Sequence, residues 1–249
     1  MAHNGNRLRH DSAAAVRCEQ RALVCFTLGS TIAVILWIIA MSTDYWFTVS
    51  SPDSGGLYVN KTRIIFLYSH SGLWRICRTQ IINKTSENDP VSKTECHYHN
   101  LFPSNKEIDK NPELDRTIMD YTRTETAFSV ISLCLMLMGV GFSVYTFTEP
   151  RYMFKRLAGG VHFITAATVL VVIEVLTNSV RYEEHFLRVR HPKGSIWRYG
   201  YSFGLAWVVF SVYLSSGCAF IIFSRKRKGD KAADEYHARE DEPNILGRV

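Results

Sequence analysis

Two stretches of the chain run without a single charged residue: ALVCFTLGSTIAVILWIIAM from Ala22 to Met41, and AFSVISLCLMLMGVGFSVYTFT from Ala127 to Thr148. At 1.5 Å of rise per residue, each is long enough as a helix to cross a hydrocarbon core of roughly 30 Å. Helix is also the form such a run must take, because lipid offers its backbone N–H and C=O groups no partner. A third uncharged run, Tyr199 to Ser224, starts with aromatics and is followed by Arg225-Lys226-Arg227-Lys228, a stop-transfer pattern.

Leu157 to Val180 is interrupted by Glu174 and carries His162 near its start. Its Leu, Ile, Val and Phe residues favour insertion by about 4 to 7 kcal/mol in sum, whereas a mid-helix charge costs about 2.5 to 3.5. Glu174 lies toward one end, where the cost is lower, so the segment is expected to insert as a fourth span. The first run is longer than the apolar core of a cleaved signal, about 7 to 15 residues, and reads as a signal anchor.

Basic flanks set the orientation. Residues 1–21 hold Arg7, Arg9, Arg17 and Arg21 against two acids, residues 149–156 hold three bases against one, and residues 225–228 are all basic. The expected layout is a cytosolic arm (1–21), TM1 (22–41), an extracellular loop with sheet and disulfide (42–126), TM2 (127–148), a cytosolic turn (149–156), TM3 (157–180), a second extracellular loop (181–198), TM4 (199–224) and a disordered cytosolic tail (225–249). Both termini then face the cytosol of a multi-pass plasma-membrane protein. Two Asn-x-Thr sequons, at Asn60 and Asn83, fall in the long outer loop, as glycan acceptors should. Against this pattern, residues 181–198 carry five bases and two acids, unexpected for a short outer loop. The net charge of +6 is spread over the chain, with no basic field of the kind that binds nucleic acid. The four-base cluster suits anionic lipid headgroups.

Of six cysteines, only Cys77 and Cys96 lie outside the spans and their cytosolic approach. In an oxidising lumen they are expected to pair, stabilising the loop by about 3 kcal/mol. Metal binding by Cys96, His97, His99 and His70 is the weaker alternative, since no second ligand pair stands at zinc spacing. Leu57 to Ile82 is rich in β-branched and aromatic residues and is punctuated by Gly55-Gly56 and Ser71-Gly72, which predicts short antiparallel strands. A two-residue period would send Trp74 and Ile76 to one face and Leu73, Cys77 and Ile81 to the other. A buried indole and a disulfide would then brace a small sheet; the alternative places the indole on lipid headgroups.

Trp46, Gly72-Leu73-Trp74, Cys77 and Cys96 follow the W…GLW…C…C order of the claudin superfamily of four-span proteins. "GLWRIC", Gly72 to Cys77, resembles the gamma subunits of voltage-gated calcium channels, most of all the skeletal-muscle branch. "VVIEVLTNSV", Val171 to Val180 with Glu174, is similar to that branch's third span. "YGYSFGLAW", Tyr199 to Trp207, is similar to the start of the fourth span in gamma subunits and in their relatives that accompany AMPA-type glutamate receptors. The resemblance covers residues 22–224. The outer loop is wider than in typical claudins, and it lacks their Leu/Ala/Arg-rich run before the second span. Leu246-Gly247-Arg248-Val249 departs from a PDZ ligand. The resemblance implies a left-handed bundle of four transmembrane helices capped by an extracellular antiparallel β-sheet of about five strands. Small residues at Gly139, Gly141, Ala158 to Gly160, Ala166-Ala167 and the Gly200-x-x-x-Gly204 spacing would allow close helix approach.

No nucleotide loop, metal pair or repeated half marks a cofactor-dependent enzyme or carrier. Glu174 and His162 stand about 18 Å apart along one helix and cannot act together. The expected function is a non-enzymatic auxiliary subunit modulating gating or surface expression of an ion channel. A voltage-gated calcium channel leads as partner and an AMPA-type receptor follows. A claudin-type junction protein is the alternative, and a transporter or membrane enzyme centred on Glu174 a third. In the first case Glu174 is either an internal polar contact or a contact with the partner.

Overall fold

A computed structural model of the chain describes residues 2–53, 55–58, 64–82, 91–104, 108, 115–148 and 152–224. Asn60, Asn83 and the tail from residue 225 lie outside the described residues. The elements run α1 (Ala2–Ser42), β1 (Phe47–Ser50), β2 (Leu57–Tyr58), β3 (Ile64–Ser71), β4 (Arg75–Ile82), β5 (Val91–Tyr98), α2 (Arg116–Thr148), α3 (Tyr152–Phe186), β6 (Ile196–Tyr199) and α4 (Tyr201–Ile222).

Four helices are long and apolar enough to cross a membrane: Val16–Ser42, Arg116–Thr148, Met153–Phe186 and Tyr201–Ile222. The second begins well before its charge-free run because Asp115 caps it. The Asp115 carboxylate accepts the backbone N–H groups of Thr117 at 2.8 Å and Ile118 at 3.4 Å, two donors the first turn would otherwise leave unpaired. The helices form a closed ring, α1 against α2, α2 against α3, α3 against α4, and α4 back against α1.

The bundle inverts the pattern of a water-soluble one. Large side chains such as Leu28, Ile32, Ile35, Leu137 and Ile164 point outward, while Ser30, Ser129, Ser132, Ser143, Thr165 and Ser216 are buried between helices. Lipid is as apolar as leucine, so the helices cohere through close packing and buried hydrogen bonds instead. Ser30 and Ser216 hydroxyls meet at 3.0 Å, Tyr213 donates its hydroxyl to the Ser30 carbonyl at 3.2 Å, and buried His162 bonds Ser143 at 2.8 Å through Nε2. Gly139 gives room for the His162 ring, and Gly159 sits against Ile221 and Phe220. Gly141, Gly160 and Gly204 face open space, so the Gly200-x-x-x-Gly204 spacing does not mark a helix contact.

The sheet is antiparallel, in the order β5-β4-β3-β1-β6 with β2 also paired to β3. Its last strand, β6, comes from the second outer loop, where the sequence showed no strand. Four residues, IWRY, are too few to display a period. At the other edge, β5 is exposed along both faces and has no apolar alternation to announce it. It is held by its ladder to β4 and by the disulfide.

One core runs through both layers. Trp37 of α1, Val169, Val172, Ile173 and Leu176 of α3, and Val209 and Tyr213 of α4 join Trp46, Phe47, Val49, Phe66 and Leu73 from the sheet side.

Candidate functional site

A helix ends with four carbonyls that no residue of its own can satisfy. At the outer end of α1 the sheet supplies the partners. Trp46 Nε1 donates to the Ala40 carbonyl at 2.8 Å, Trp74 Nε1 to the Met41 carbonyl at 2.7 Å, and the Thr43 hydroxyl to Ala40 at 3.0 Å. Trp46 is fully buried and meets Trp37 edge-on at 6.1 Å. Each indole thus combines a large apolar area with one well-spent N–H.

Two glycines let the chain come this close. A Cβ on Gly72 would lie 2.6 Å from the Thr43 carbonyl oxygen and 2.7 Å from Asp44 Cα. A Cβ on Gly200 would overlap the Tyr45 carbonyl, with its carbon at 2.6 Å. Around these glycines Trp46 donates its backbone N–H to Ser71 (3.0 Å), Gly200 donates to Trp46 (2.8 Å) and Ser202 donates to Tyr45 (3.2 Å). Residues 72–74 are the turn between β3 and β4, closed by Gly72 N–H to the Arg75 carbonyl at 2.9 Å. Trp74 therefore does not share a sheet face with Ile76, as simple alternation suggested. Strand alternation starts only at Arg75, leaving Trp74 free to turn down onto α1, while Leu73 enters the core.

Cys77 of β4 and Cys96 of β5 stand directly opposite in register and form a disulfide. Asp44, His70 and Cys77 bring three possible metal-ligand types together, the one such group among the described residues. The Cys77 sulfur is already bonded, however, and Asp44 is taken by Arg75, so the trio is a structural cluster. The Asp44 hydrogen bond holds the Arg75 guanidinium above its ordinary range. Burial holds His70, stacked on Tyr45 at 4.5 Å, below its own. Replacing Cys77 and Cys96 together by serine is expected to lower stability by about 3 kcal/mol, the entropy returned to the unfolded loop. Thermal unfolding in detergent, with and without reductant, measures the difference; a wild type insensitive to reductant would contradict it.

Beneath the sheet lies a polar cluster that no sequence signal revealed. Glu183, at the outer end of α3, is buried; Arg190 Nη1 reaches it at 2.6 Å and His191 Nε2 at 3.5 Å. Glu125 of α2 is buried next to it, with Ser179 as hydrogen-bond partner and Glu183 as a like-charge neighbour. One of the five bases of residues 181–198 is accounted for here, because Arg190 turns inward, with His191 beside it, instead of facing water. The segment folds this way because a helical turn continues past α3, with Leu187 N–H on the Glu183 carbonyl and His191 N–H on Leu187.

Glu174 is elsewhere. It is exposed on the outward side of α3, with Asn178 one turn above it donating to the Glu174 carbonyl at 2.8 Å. The reading of Glu174 as an internal polar contact of the bundle is thereby excluded. It sits about 9 Å along the helix below Val180, on the stripe that also presents Ile164, Ala167 and Arg181.

Four helices able to span a membrane, an antiparallel sheet fed by both the α1–α2 and the α3–α4 connections, and a first helix closed by the indoles of a W…GLW motif define a class of multi-pass membrane protein. The profile of the PMP-22/EMP/MP20/Claudin tight junction family matches residues 31–222, and the chain belongs to that family. Similar relatives include the human voltage-dependent calcium channel gamma-7 subunit, 26% identical over 92% of this chain and 79% of its own length. The mouse gamma-5 subunit is 27% identical over 84% and 73%, and the rat gamma-1 subunit 24% over 78% and 84%.

Proposed function

We propose that the protein is a non-enzymatic auxiliary subunit of a pore-forming ion channel, seated in the plasma membrane with both termini in the cytosol. A voltage-gated calcium channel is the leading partner and an AMPA-type glutamate receptor the second. The observation that carries this is Glu174. An ionisable group on the lipid-facing side of a span costs about 2.5 to 3.5 kcal/mol at mid-membrane and less toward an end, where Glu174 stands, and such groups are retained where another protein covers them. With Asn178 and Arg181 above it, the α3 stripe offers a partner helix a polar pairing site inside the bilayer. The gamma-subunit names of the relatives point the same way. By binding one gating state of the channel more tightly than another, such a subunit would shift channel populations.

Glu174→Leu removes the charge without touching the bundle interior. Expected is loss of channel co-purification and of the change in current, with the chain's own melting temperature unchanged or raised. Wild-type protein that recovers no channel from native membranes and leaves calcium currents unaltered, yet gathers at contacts between cells expressing it, would replace this function with a junctional one. Asn60 and Asn83 are proposed glycan sites, read out by mobility after deglycosylation of the two Asn→Gln variants.

A further inference from the structure

The sheet ends at β5. Among the described residues no strand pairs with its outer edge, and every side chain from Ser92 to Tyr98 is exposed. The ladder to β4 decides which backbone groups that edge presents. His99 donates its N–H to the Trp74 carbonyl at 2.8 Å, continuing the register that sets Cys77 opposite Cys96. Bonded and non-bonded pairs alternate along an antiparallel ladder, so the odd-numbered residues of β5 bond β4 and the even-numbered ones do not. The Cα atoms of Cys77 and Cys96, 4.0 Å apart, have the close spacing of a non-bonded pair. Ser92, Thr94 and Cys96 therefore turn their N–H and C=O groups outward.

A strand of eight residues left open in this way is a template for another strand. Edge charges usually guard against such pairing. Here the charges are Lys93 and Glu95, two positions apart on the face opposite the disulfide and paired with each other at 2.5 Å. Read antiparallel, Lys-x-Glu is its own complement. A two-fold axis through Thr94 places Lys93 of each copy opposite Glu95 of the other, with Ser92 opposite Cys96 and Thr94 opposite itself. The same centre suits the backbone, because the three outward-facing residues all fall in bonded pairs, about six hydrogen bonds in total. Moving the axis by one residue sets Lys93 against Lys93 or Glu95 against Glu95, which is repulsive.

We propose that β5 is a self-association edge, through which two copies of the chain pair antiparallel about Thr94 and join their sheets into one. The occupant is a second copy because charge order and backbone parity, two independent features of the strand, select the same axis. The pairing stands whether or not the protein serves a channel, so its failure and that of the channel function are separate results.

The test uses donor- and acceptor-tagged full chains reconstituted together in lipid vesicles, with energy transfer followed as the protein-to-lipid ratio rises. Wild type should give a saturable signal above that of random mixing. Lys93→Glu and Glu95→Lys should each weaken association roughly 10- to 100-fold, since two attractive pairs become two repulsive ones. Donor-tagged Lys93→Glu mixed with acceptor-tagged Glu95→Lys should recover it, as should both substitutions in one chain. Thr94→Pro removes an outward N–H that a free edge does not need, so transfer should vanish while the melting temperature holds. If that variant does not fold, the charge variants decide. Wild-type transfer no greater than random mixing overturns the proposal, and so does a mixture of the two charge variants that associates no better than either alone. Loss of channel co-purification in Thr94→Pro, with no self-association of wild type, would assign the edge to a strand of the partner and overturn the pairing of copies.

Discussion

Gly200→Ala is expected to prevent the protein from reaching its folded, membrane-inserted state. The added methyl would occupy the position of the Tyr45 carbonyl, and both sides of that collision are backbone, with no flexible side chain to give way. The only relief is to separate β6 and the start of α4 from the end of α1. That separation breaks the Gly200 to Trp46 and Ser202 to Tyr45 hydrogen bonds and the contact at 2.6 Å between the Thr43 and Ser202 hydroxyls. Losses above about 4 kcal/mol are exceptional for one substitution and come from collisions of this kind. Surface expression, oxidation of the Cys77–Cys96 pair and the melting temperature should fall together. Gly204→Ala is the control: nothing lies within 4 Å of its position, so expression should match wild type. A Gly200→Ala protein that melts like wild type would show that the junction is looser than these contacts require.

The second large effect concerns the ion pair under the sheet. Glu183→Ala removes the carboxylate that Arg190 Nη1 holds at 2.6 Å, leaving the buried guanidinium without its ion-pair partner and with Glu125 as its remaining acidic neighbour, and should cost about 3 to 5 kcal/mol. Replacing both partners with apolar residues of similar size, Glu183→Leu with Arg190→Met, should recover most of that loss, because buried ion pairs barely repay their own desolvation. A double-mutant cycle on thermal unfolding in detergent gives both numbers. Similar melting of the Glu183→Ala and double variants would mean that water reaches the pair and screens it.

The spans were legible because a bilayer demands the same thing of every residue in a long run, and twenty residues without charge meet that demand in few other ways. The disulfide was legible by elimination, as two thiols share one oxidised loop. The sheet was readable only where composition and turn residues coincide, from Leu57 to Ile82. Strands β5 and β6 gave no signal, the one polar on both faces and the other four residues long. Trp74 was misplaced because two-residue alternation was carried back through a turn, where it does not apply. The cluster of Glu125, Glu183, Arg190 and His191 was invisible for a different reason. Its members come from two helices and a following turn, and nothing local distinguishes Arg190 from Arg188, which is exposed. Glu174 stood out in the sequence, but which way it faces depends on the packing of its neighbours Ile173 and Leu176 into the core.

Because β6 reaches the sheet from beyond the third span, and because Trp46, Phe66 and Leu73 find their neighbours among residues of the membrane helices, the sheet layer has no interior of its own. A soluble fragment cut from residues 42–126 would carry a sheet with one margin missing and its underside bare. It should aggregate or stay unfolded even with its disulfide formed, and any screen for what the outer surface recognises has to present that surface on its intact transmembrane support.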